Sequence, residues 1–196
     1  MFYDALVNDH GLKLDPYYSL VVPRPIAWIS TVSKAGRVNL APYSFYNTFS
    51  HDPSYVAFGS SVGKHTITNI GETGEFVINM PTYDLREAMN QTSTKQDVEE
   101  FDYAGLEKAP SRMVKPPRVA ASPISLECRH FKTIDLPDDA GVVENQMVIG
   151  RVVGIHIDER YIKEGRIDVS ALHAIARLGY AQYATVDDPW RMPRPD

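Results

Sequence analysis

The chain has 196 residues, which suits one domain or at most two small ones. With 20 Lys and Arg against 25 Asp and Glu, its formal net charge of −5 argues against the basic footprint that broad nucleic-acid binding needs. The single cysteine, Cys128, excludes an internal disulfide framework and a Cys-rich metal cluster, and we expect it to pack in the core rather than act as a nucleophile.

Strand patterns dominate the first part of the chain. Residues 26–33 are largely β-branched or aromatic and follow a Pro-Arg-Pro turn, so they predict a strand. A turn at 34–36 leads to a second extended stretch, 37–50, which Pro42 interrupts, and the pair favours a hairpin. Further strands are predicted at 55–60 and 75–79.

The remaining patterns predict two long strands and several short helices. Residues 125–134 and 146–158 are rich in Val and Ile or alternate in polarity, which is typical of strands. Helices are predicted at 64–71, 84–91, 99–108 and 170–176. This ratio of strands to helices indicates a mainly β protein, a β-barrel with peripheral helices, in which 1–186 form the domain and 187–196 a Pro-rich extended tail.

The sequence predicts neither a membrane segment nor a targeting segment. No run of about eighteen apolar residues occurs. Residues 1–15 lack the basic head and apolar stretch of a secretory leader, so a cytoplasmic protein is expected.

Most catalytic motifs are absent. Residues 59–65 superficially resemble a phosphate loop, but only three residues separate the two glycines where that motif needs four. The six histidines show no metal-ligand spacing, so no metal site is predicted. There is no Gly-x-Ser-x-Gly elbow and no Gly-x-Gly-x-x-Gly fingerprint, which leaves little support for a serine hydrolase or a Rossmann site.

One stretch favours binding of an anion. The predicted strand 55–59 leads to Ser60 and Ser61, and Lys64, Thr66 and Asn69 follow at the start of a predicted helix. Hydroxyls, an ammonium group and free N–H groups at a helix start suit a terminal phosphate. A helix cap with a solvated lysine is the structural alternative, and these residues alone leave it open.

A second stretch, 39–47, favours binding of a flat ring. It places aromatic and hydroxyl residues around Pro42, which would provide an apolar wall with a few polar partners. An aromatic-rich buried strand with a bulge at the proline explains the same pattern, and it is the better explanation of this stretch alone.

Four blocks in a fixed order resemble a known family. They are Pro-Arg-Pro-Ile-Ala-Trp-Ile-Ser-Thr at 23–31, Asn-Leu-Ala-Pro-Tyr-Ser-Phe-Tyr at 39–46, Lys-His-Thr with Asn-Ile at 64–70, and Thr-Gly-Glu-Phe-Val-Ile-Asn at 73–79. Over residues 17–183 the chain resembles the flavin-reductase-like family of FMN-binding split barrels. The resemblance implies a homodimeric split barrel that holds FMN near the subunit interface.

The resemblance also implies roles for individual residues. Five would hold the FMN phosphate: Ser60, Ser61, Lys64, Thr66 and Asn69. Four would line the isoalloxazine or the ribityl chain: Tyr43, Ser44, Phe45 and Asn47. Arg24 would reach the flavin or its phosphate.

The segment 177–183 is similar to the family's Arg-Leu-Gly-Gly-x-x-Tyr segment, so Arg177 is expected near the flavin. The predicted helix 170–176 would place Arg177 at a helix end, where interaction with the helix dipole is the alternative role. The chain departs from the family pattern at His65, where Asp is usual, and at Tyr180, which replaces the second glycine. The first change would alter the loop that caps the phosphate, and the second would narrow the cavity above the ring.

The resemblance implies an FMN-dependent oxidoreductase, an NAD(P)H-dependent flavin reductase. NADH or NADPH would pass a hydride to flavin N5, and the electrons would continue to free flavin, oxygen or a partner such as a flavin-dependent monooxygenase. Because the cofactor carries the chemistry, no catalytic residue is predicted. Since no nicotinamide fingerprint is visible, an FMN-binding electron-carrier module without its own nicotinamide reductase activity remains the alternative.

Overall fold

The computed structural model describes residues 1–195. Its strands follow in chain order: β1 (Arg24–Pro25), β2 (Ala27–Val32), β3 (Val38–Tyr43), β4 (Tyr46–His51), β5 (Ser54–Ser61), β6 (Glu75–Asn79), β7 (Lys108–Ala109), β8 (Arg118–Val119), β9 (Ile124–Pro137), β10 (Val143–Ile157), β11 (Ile162–Lys163), β12 (Arg166–Ile167), β13 (Ile175–Gly179) and β14 (Gln182–Thr185). The helices are α1 (His65–Thr73), α2 (Arg86–Gln91) and α3 (Glu100–Tyr103), with 3-10 turns at Tyr17–Ser19 and Glu159–Tyr161.

Seven strands form one antiparallel sheet in the order β3-β2-β6-β9-β10-β5-β4. The long pair β9 and β10 forms its centre, and shifts in their register mark bulges, which bend and twist strands. A smaller sheet, β1-β13-β14, pairs Arg24 with Arg177. This pairing brings the residues before β2 next to the C-terminal part of the chain.

Two buried clusters fill the two sides of β2. Ala27 and Ile29 belong to the cluster that contains Phe58, Phe76 and Cys128, in which the rings of Phe58 and Phe76 meet edge to face at 5.9 Å. Trp28 points to the other side, into a second cluster. Since both faces of β2 are covered, its sequence is almost continuously apolar. Cys128 is buried in the core, as predicted.

The second cluster joins the peripheral helices to the sheet. Met89 of α2 and Phe101 of α3 pack with Trp28 and Leu40, and the indole Nε1 of Trp28 donates to Thr92 Oγ1 at 2.8 Å. Gly74 caps the C-terminal end of α1. Its φ of 72° is left-handed, which costs a glycine little because it has no Cβ, and its N–H donates to Ile70 O. The prediction of a mainly β protein with short peripheral helices is therefore confirmed.

Several predicted boundaries differ from the structure. The stretch 37–50 forms two strands rather than one. β3 pairs with β2 as far as Tyr43, and β4 pairs with β5 from Tyr46 onward. Predicted helix 99–108 is the four-residue α3, because Gly105 turns the chain with a φ of 64° toward β7. Helix 84–91 begins at Arg86.

The prediction of a helix at 170–176 is wrong. Residues 170–173 form a turn, Ala174 bridges to Thr82, and β13 begins at Ile175. The apolar residues Leu172, Ile175 and Ala176 fit a helical spacing, but pairing with β1 and β14 uses the backbone groups of Ile175 and Ala176. Long-range strand pairing has overridden the local pattern.

Among residues 1–195, no helix is both long and apolar enough to cross a bilayer. Within that same range, no group of three or more His, Cys, Asp or Glu side chains is placed to hold a metal ion.

Candidate functional site

A cavity of about 890 Å³ lies where the chain crosses from β3 to β4. Tyr43 still pairs with β2, whereas Tyr46 pairs with β5, so Ser44 and Phe45 span the gap between these two parts of the sheet. The N–H of Gly59 in β5 donates to Phe45 O at 2.7 Å and fixes the crossing. The volume is within the usual range of cofactor sites, about 300–1,000 Å³.

The cavity has two ends of different origin. At one end the lining residues come from β5, the start of α1 and the start of β10: Ser60, Ser61, Lys64, Asn145 and Gln146. At the other end they come from the small sheet and the 3-10 turn at Tyr17–Ser19: Tyr17, Tyr18, Arg24, Arg177 and Tyr180. The crossing segment with Tyr43, Ser44 and Phe45 lies between them.

The first end presents donors at the start of a helix. Gly63 adopts a φ of 74°, which favours glycine, and Lys64 follows in an extended conformation as the residue before α1. Backbone N–H groups of the first helical turn have no partner within their own helix, and the helix dipole adds positive potential there. Ser60 and Ser61 lie beside them at the end of β5, where the Ser61 hydroxyl is 3.3 Å from Asn145 Oδ1.

Thr66 and Asn69 face the interior of the protein instead. Thr66 Oγ1 accepts from Asn39 Nδ2 at 2.9 Å, and Asn69 Nδ2 donates to Thr31 Oγ1 at 3.0 Å. Both side chains are buried, and neither lines the cavity. These contacts hold α1 against β2 and β3, so the two residues position the helix start at which Lys64 stands.

Tyr43 connects the helix start to the crossing segment. Burial raises the pKa of its phenol, while hydrogen bonds with the hydroxyls of Thr66 and Ser60 oppose that rise. The centre of its ring lies 5.1 Å from the centre of the Phe58 ring in the core. Tyr43 therefore stays protonated at neutral pH and offers a neutral hydroxyl near the cavity wall.

The second end contains stacked aromatic and guanidinium groups. The rings of Phe45 and Tyr18 stack at 5.9 Å with an angle of 4° between their planes, and the Arg24 guanidinium lies 5.5 Å from the Phe45 ring centre. Asn47 does not line this cavity. It lines an adjoining, mostly apolar cavity of about 400 Å³ that shares Phe45 and Arg24 as walls.

Arg24 is 7% exposed and is held by the segment before it. Its Nη1 donates to Tyr18 O at 2.6 Å and to Val21 O at 2.8 Å, while its Nε has no partner among residues 1–195. Burial, and then the nearby charge of Arg177, lowers the pKa of Arg24. Two cations thus share this end of the cavity, an arrangement that favours a bound anion.

Arg177 lies in the middle of β13, so its predicted place at a helix end is wrong. Its guanidinium lies 4.6 Å from the Tyr183 ring centre and donates to the Tyr183 hydroxyl and to Tyr180 O. Interaction with a helix dipole is therefore no longer an alternative role. The bonds to Tyr183 and Tyr180 fix the side chain as part of the cavity wall.

The two departures from the family pattern lie at different distances from the cavity. Tyr180 lines it and adopts a φ of 47°, a left-handed conformation that glycine adopts at lower cost. His65 is the first residue of α1, is exposed, and does not line the cavity. Only Tyr180 therefore changes the shape of this space directly.

Sequence reasoning missed several lining residues, among them Tyr17, Tyr18, Leu136, Asn145 and Gln146. Tyr17 and Tyr18 reach the cavity because the 3-10 turn packs against β13, and Asn145 and Gln146 reach it because β10 pairs with β5. No local motif marks these residues. Pairing of the long predicted strand 146–158 with 55–60 would have been the signal for the last two.

The cavity combines a helix N-terminus that is suited to a phosphate with aromatic walls. A comparison with known protein families identifies the fold around it. The flavin reductase like domain model matches residues 18–180. The chain belongs to this family. The predicted resemblance is confirmed, and so is the split-barrel fold of the flavin reductase-like type.

Sequence relatives extend over nearly the whole chain. The uncharacterized protein BH2278 of Halalkalibacterium halodurans is 38% identical in an alignment that covers 96% of each chain. The uncharacterized protein YwrF of Bacillus subtilis is 33% identical and covers 89% of each chain.

Solved structures show the same architecture. Nitrilotriacetate monooxygenase component B from Bacillus cereus superposes with a TM-score of 0.90 at 26% identity, covering 98% of both chains. The 2-nitrobenzoate 2-nitroreductase NbaA of Pseudomonas fluorescens gives a TM-score of 0.88 at 28% identity, covering 100% of this chain and 96% of that one. Family and neighbours together support a flavin-related oxidoreductase role.

Proposed function

We propose that the protein is an FMN-binding flavoprotein oxidoreductase, and that it acts as an NAD(P)H-dependent flavin reductase. One observation carries the proposal. The cavity of about 890 Å³ is lined by the cations Arg24, Lys64 and Arg177, and none of its described lining residues is an Asp or a Glu. Cations around an aromatic-walled cavity without a carboxylate fit a flat ligand that bears a negatively charged group.

The phosphate of FMN fits the end of the cavity at the start of α1. Lys64 provides a positive charge, Ser60 and Ser61 provide hydroxyls, and the first helical turn provides N–H donors. Thr66 and Asn69 support this end by fixing α1 through Asn39 and Thr31. We therefore propose that Thr66 and Asn69 act on the phosphate indirectly, by holding the start of α1 in place.

The isoalloxazine and the ribityl chain fit the crossing segment. Tyr43 and Ser44 offer hydroxyls, and Phe45 offers an aromatic wall that Tyr18 and Arg24 hold in place. Asn47, in the adjoining cavity, would contact whatever part of the ligand passes Phe45. When bound, FMN would supply the redox chemistry, namely hydride acceptance from the donor and electron transfer to free flavin, oxygen or a partner protein.

The protein's own residues would bind and orient rather than transfer protons. Arg24 and Arg177 place two positive charges at the end of the cavity away from Lys64, where the donor would bind. Tyr180 limits the space available there. Nicotinamide dinucleotides carry phosphates, so two guanidinium groups in the cavity wall favour such a donor over a neutral reductant.

We propose that the active protein is a homodimer. Apolar side chains at the rim of the two cavities remain exposed in the single chain: Phe45 by 46%, Phe49 by 69% and Leu136 by 47%. A second copy that covers this rim would exclude water from the flavin ring. Light scattering at micromolar concentration should give twice 22.0 kDa, and a monomer would contradict the dimer.

We further propose that the reduced flavin serves an acceptor such as a flavin-dependent monooxygenase, since one structural neighbour is a nitrilotriacetate monooxygenase component. A cytoplasmic location is consistent with the single buried, unpaired thiol.

Anaerobic titration tests the proposal. The protein should bind one FMN per chain, and its yellow colour should bleach on addition of NADH or NADPH. Bleaching by dithionite but by neither nicotinamide would favour the electron-carrier alternative. Failure to bind FMN would contradict both.

A further inference from the structure

A second cavity, of about 540 Å³, lies between α2 and the strands β13 and β14. Its wall is formed by the residues Tyr83, Arg86, Met89, Ile175, Arg177 and Tyr183, among others. Arg177 also lines the candidate flavin cavity, so the two cavities share this residue. The volume falls in the range of ligand sites, about 300–1,000 Å³.

The second cavity carries positive charge. Arg86 lies with its guanidinium 3.9 Å from the Tyr83 ring centre, and one of its N–H groups donates to Tyr83 O at 2.7 Å. This stacking holds the planar group in place while other N–H donors of the guanidinium remain available for an anion. Glu87 also lines this cavity and lies 3.6 Å from Arg86 Nε, but its side chain is 79% exposed, so solvent weakens that pair. With Arg86 and Arg177 against one carboxylate, the lining keeps a net positive charge.

Apart from these charged residues, most of the wall is apolar or aromatic, and Asn90 and Thr185 are its neutral polar residues. Met89 and Ile175 are buried and form the floor, while Tyr83 and Tyr183 are partly exposed at the sides. A free inorganic anion would gain nothing from such a wall. A heteroaromatic group joined to a phosphate would use the aromatic and apolar surface as well as the cations.

We infer that this cavity binds the adenosine-phosphate arm of the nicotinamide donor. The inference rests on the proposed function, because it assumes that a nicotinamide dinucleotide reduces the flavin. Arg177 would then contact the donor where it passes from one cavity to the other, and Arg86 would contact a phosphate of the adenosine half. This subsite would bind an adenine together with a phosphate, whereas the end of the flavin cavity at Lys64 would bind the phosphate of FMN.

Binding of adenosine phosphates tests the subsite without any redox reaction. Calorimetry on the FMN-loaded protein would use adenosine 2′,5′-bisphosphate and adenosine 5′-diphosphate. Only the first carries a 2′-phosphate and only the second a pyrophosphate, so the comparison shows which of these groups Arg86 contacts. Arg86→Ala should weaken the preferred probe by about tenfold, a loss expected for one partly exposed charge-assisted contact. Arg86→Gln, which keeps most of the side chain's bulk, should show the same loss.

Arg166→Ala is the matched control. Arg166 is exposed, lies in the β11–β12 hairpin and lines neither cavity, but its removal changes the net charge equally. It should leave probe binding as in the wild type. Inorganic phosphate binding as tightly as the adenosine probes would overturn the inference, because the apolar wall would then contribute nothing.

Steady-state kinetics separate this inference from the proposed function. Arg86→Ala should raise the KM for the dinucleotide donor about tenfold more than the KM for 1-benzyl-1,4-dihydronicotinamide, which lacks adenosine and phosphate. Equal changes for the two donors would contradict the subsite alone. Failure of every nicotinamide donor, with FMN bound and reducible by dithionite, would contradict the proposed function, while the calorimetry would still decide whether the cavity binds adenosine phosphates.

Discussion

Two regions of the barrel bury charged side chains, but only one of them pairs its charge within the protein. In β9, the Glu127 carboxylate is fully buried and accepts the backbone N–H groups of Arg112, Met113 and Val114 and a bond from His156. In the candidate flavin cavity, Arg24 is nearly as buried, yet the charged group that acts on its pKa is another cation, Arg177.

The difference separates a structural charge from one that is available for a ligand. Glu127 anchors the loop 112–114 to the sheet, and each of its oxygens has partners. Arg24 keeps an unpartnered Nε among the described residues, and the cavity around it contains no described carboxylate. Two like charges held close together in a partly buried place repel each other, and an anionic ligand would relieve that repulsion.

The largest effect is expected where the charge is paired. Glu127→Ala removes the acceptor of three backbone N–H groups, so the free energy of unfolding should fall by about 2–5 kcal/mol. Urea denaturation would measure this change. A loss below about 0.5 kcal/mol, the size typical of surface substitutions, would contradict the role of Glu127 as an anchor.

The same carboxylate predicts a pH dependence of stability. Burial by itself raises the pKa of Glu127, but bonds from Arg112, His156 and Met113 outweigh it and hold the pKa below its ordinary value of 4.5. Stability from this group is therefore present above pH 4.5 and lost as the pH falls through the lower pKa of the folded state. Glu127→Gln should flatten this acid decline in urea melts; an unchanged decline would assign it to other carboxylates.

In the candidate flavin cavity, Lys64→Ala should weaken the binding of FMN more than the binding of riboflavin, because only FMN carries the phosphate. Loss of a charge-assisted contact worth about 1.5–3 kcal/mol lowers FMN affinity roughly ten- to a hundredfold. Fluorescence titration with both ligands measures this, and Lys95→Ala, at an exposed lysine outside the cavity, is the control. Equal losses for FMN and riboflavin would place Lys64 away from the phosphate.

Arg177→Ala tests whether the second cation acts on ligands or only on the fold. We expect FMN affinity or the KM for the nicotinamide donor to change by up to about tenfold, as for one charge-assisted contact. If Arg177 only stacks on Tyr183, the substitution costs about 0.5–1 kcal/mol of stability and leaves both ligand constants unchanged. The melting temperature and the two constants, measured together, decide between these roles.

Tyr180→Gly should have the smallest effect. It removes a side chain from the cavity wall and replaces a residue at a φ of 47° with one that adopts this conformation readily. The added flexibility of glycine in the unfolded chain offsets that gain, so stability should change by less than about 1 kcal/mol. The KM for the nicotinamide donor should fall; a rise would show that the Tyr180 side chain binds the donor rather than restricting it.

The sequence predicts some elements around the candidate flavin cavity better than others. Strand β2 and the chain from Ser60 to Lys64 follow from local patterns, because a buried β-branched run and a glycine turn before a helix determine their own structure. Strand β13 does not, because its partners Arg24–Pro25 and Gln182–Thr185 come from other parts of the chain.

The sequence predicts the orientation of α1 only in part. Thr66, Asn69 and Ile70 recur at the spacing of one helix face, which predicts that they point the same way. All three are buried, so Thr66 and Asn69 point with Ile70 into the protein while Lys64 remains at the cavity. The direction of that face depends on packing against β2 and β3, which spacing alone does not give.

A crystal structure of the protein saturated with FMN tests the central claim most directly. The account predicts the phosphate at the start of α1, within hydrogen-bond distance of Lys64 and the Ser60 or Ser61 hydroxyl, with the ring against the crossing segment at Phe45. FMN bound outside this cavity, or a phosphate located away from the α1 start, would contradict it.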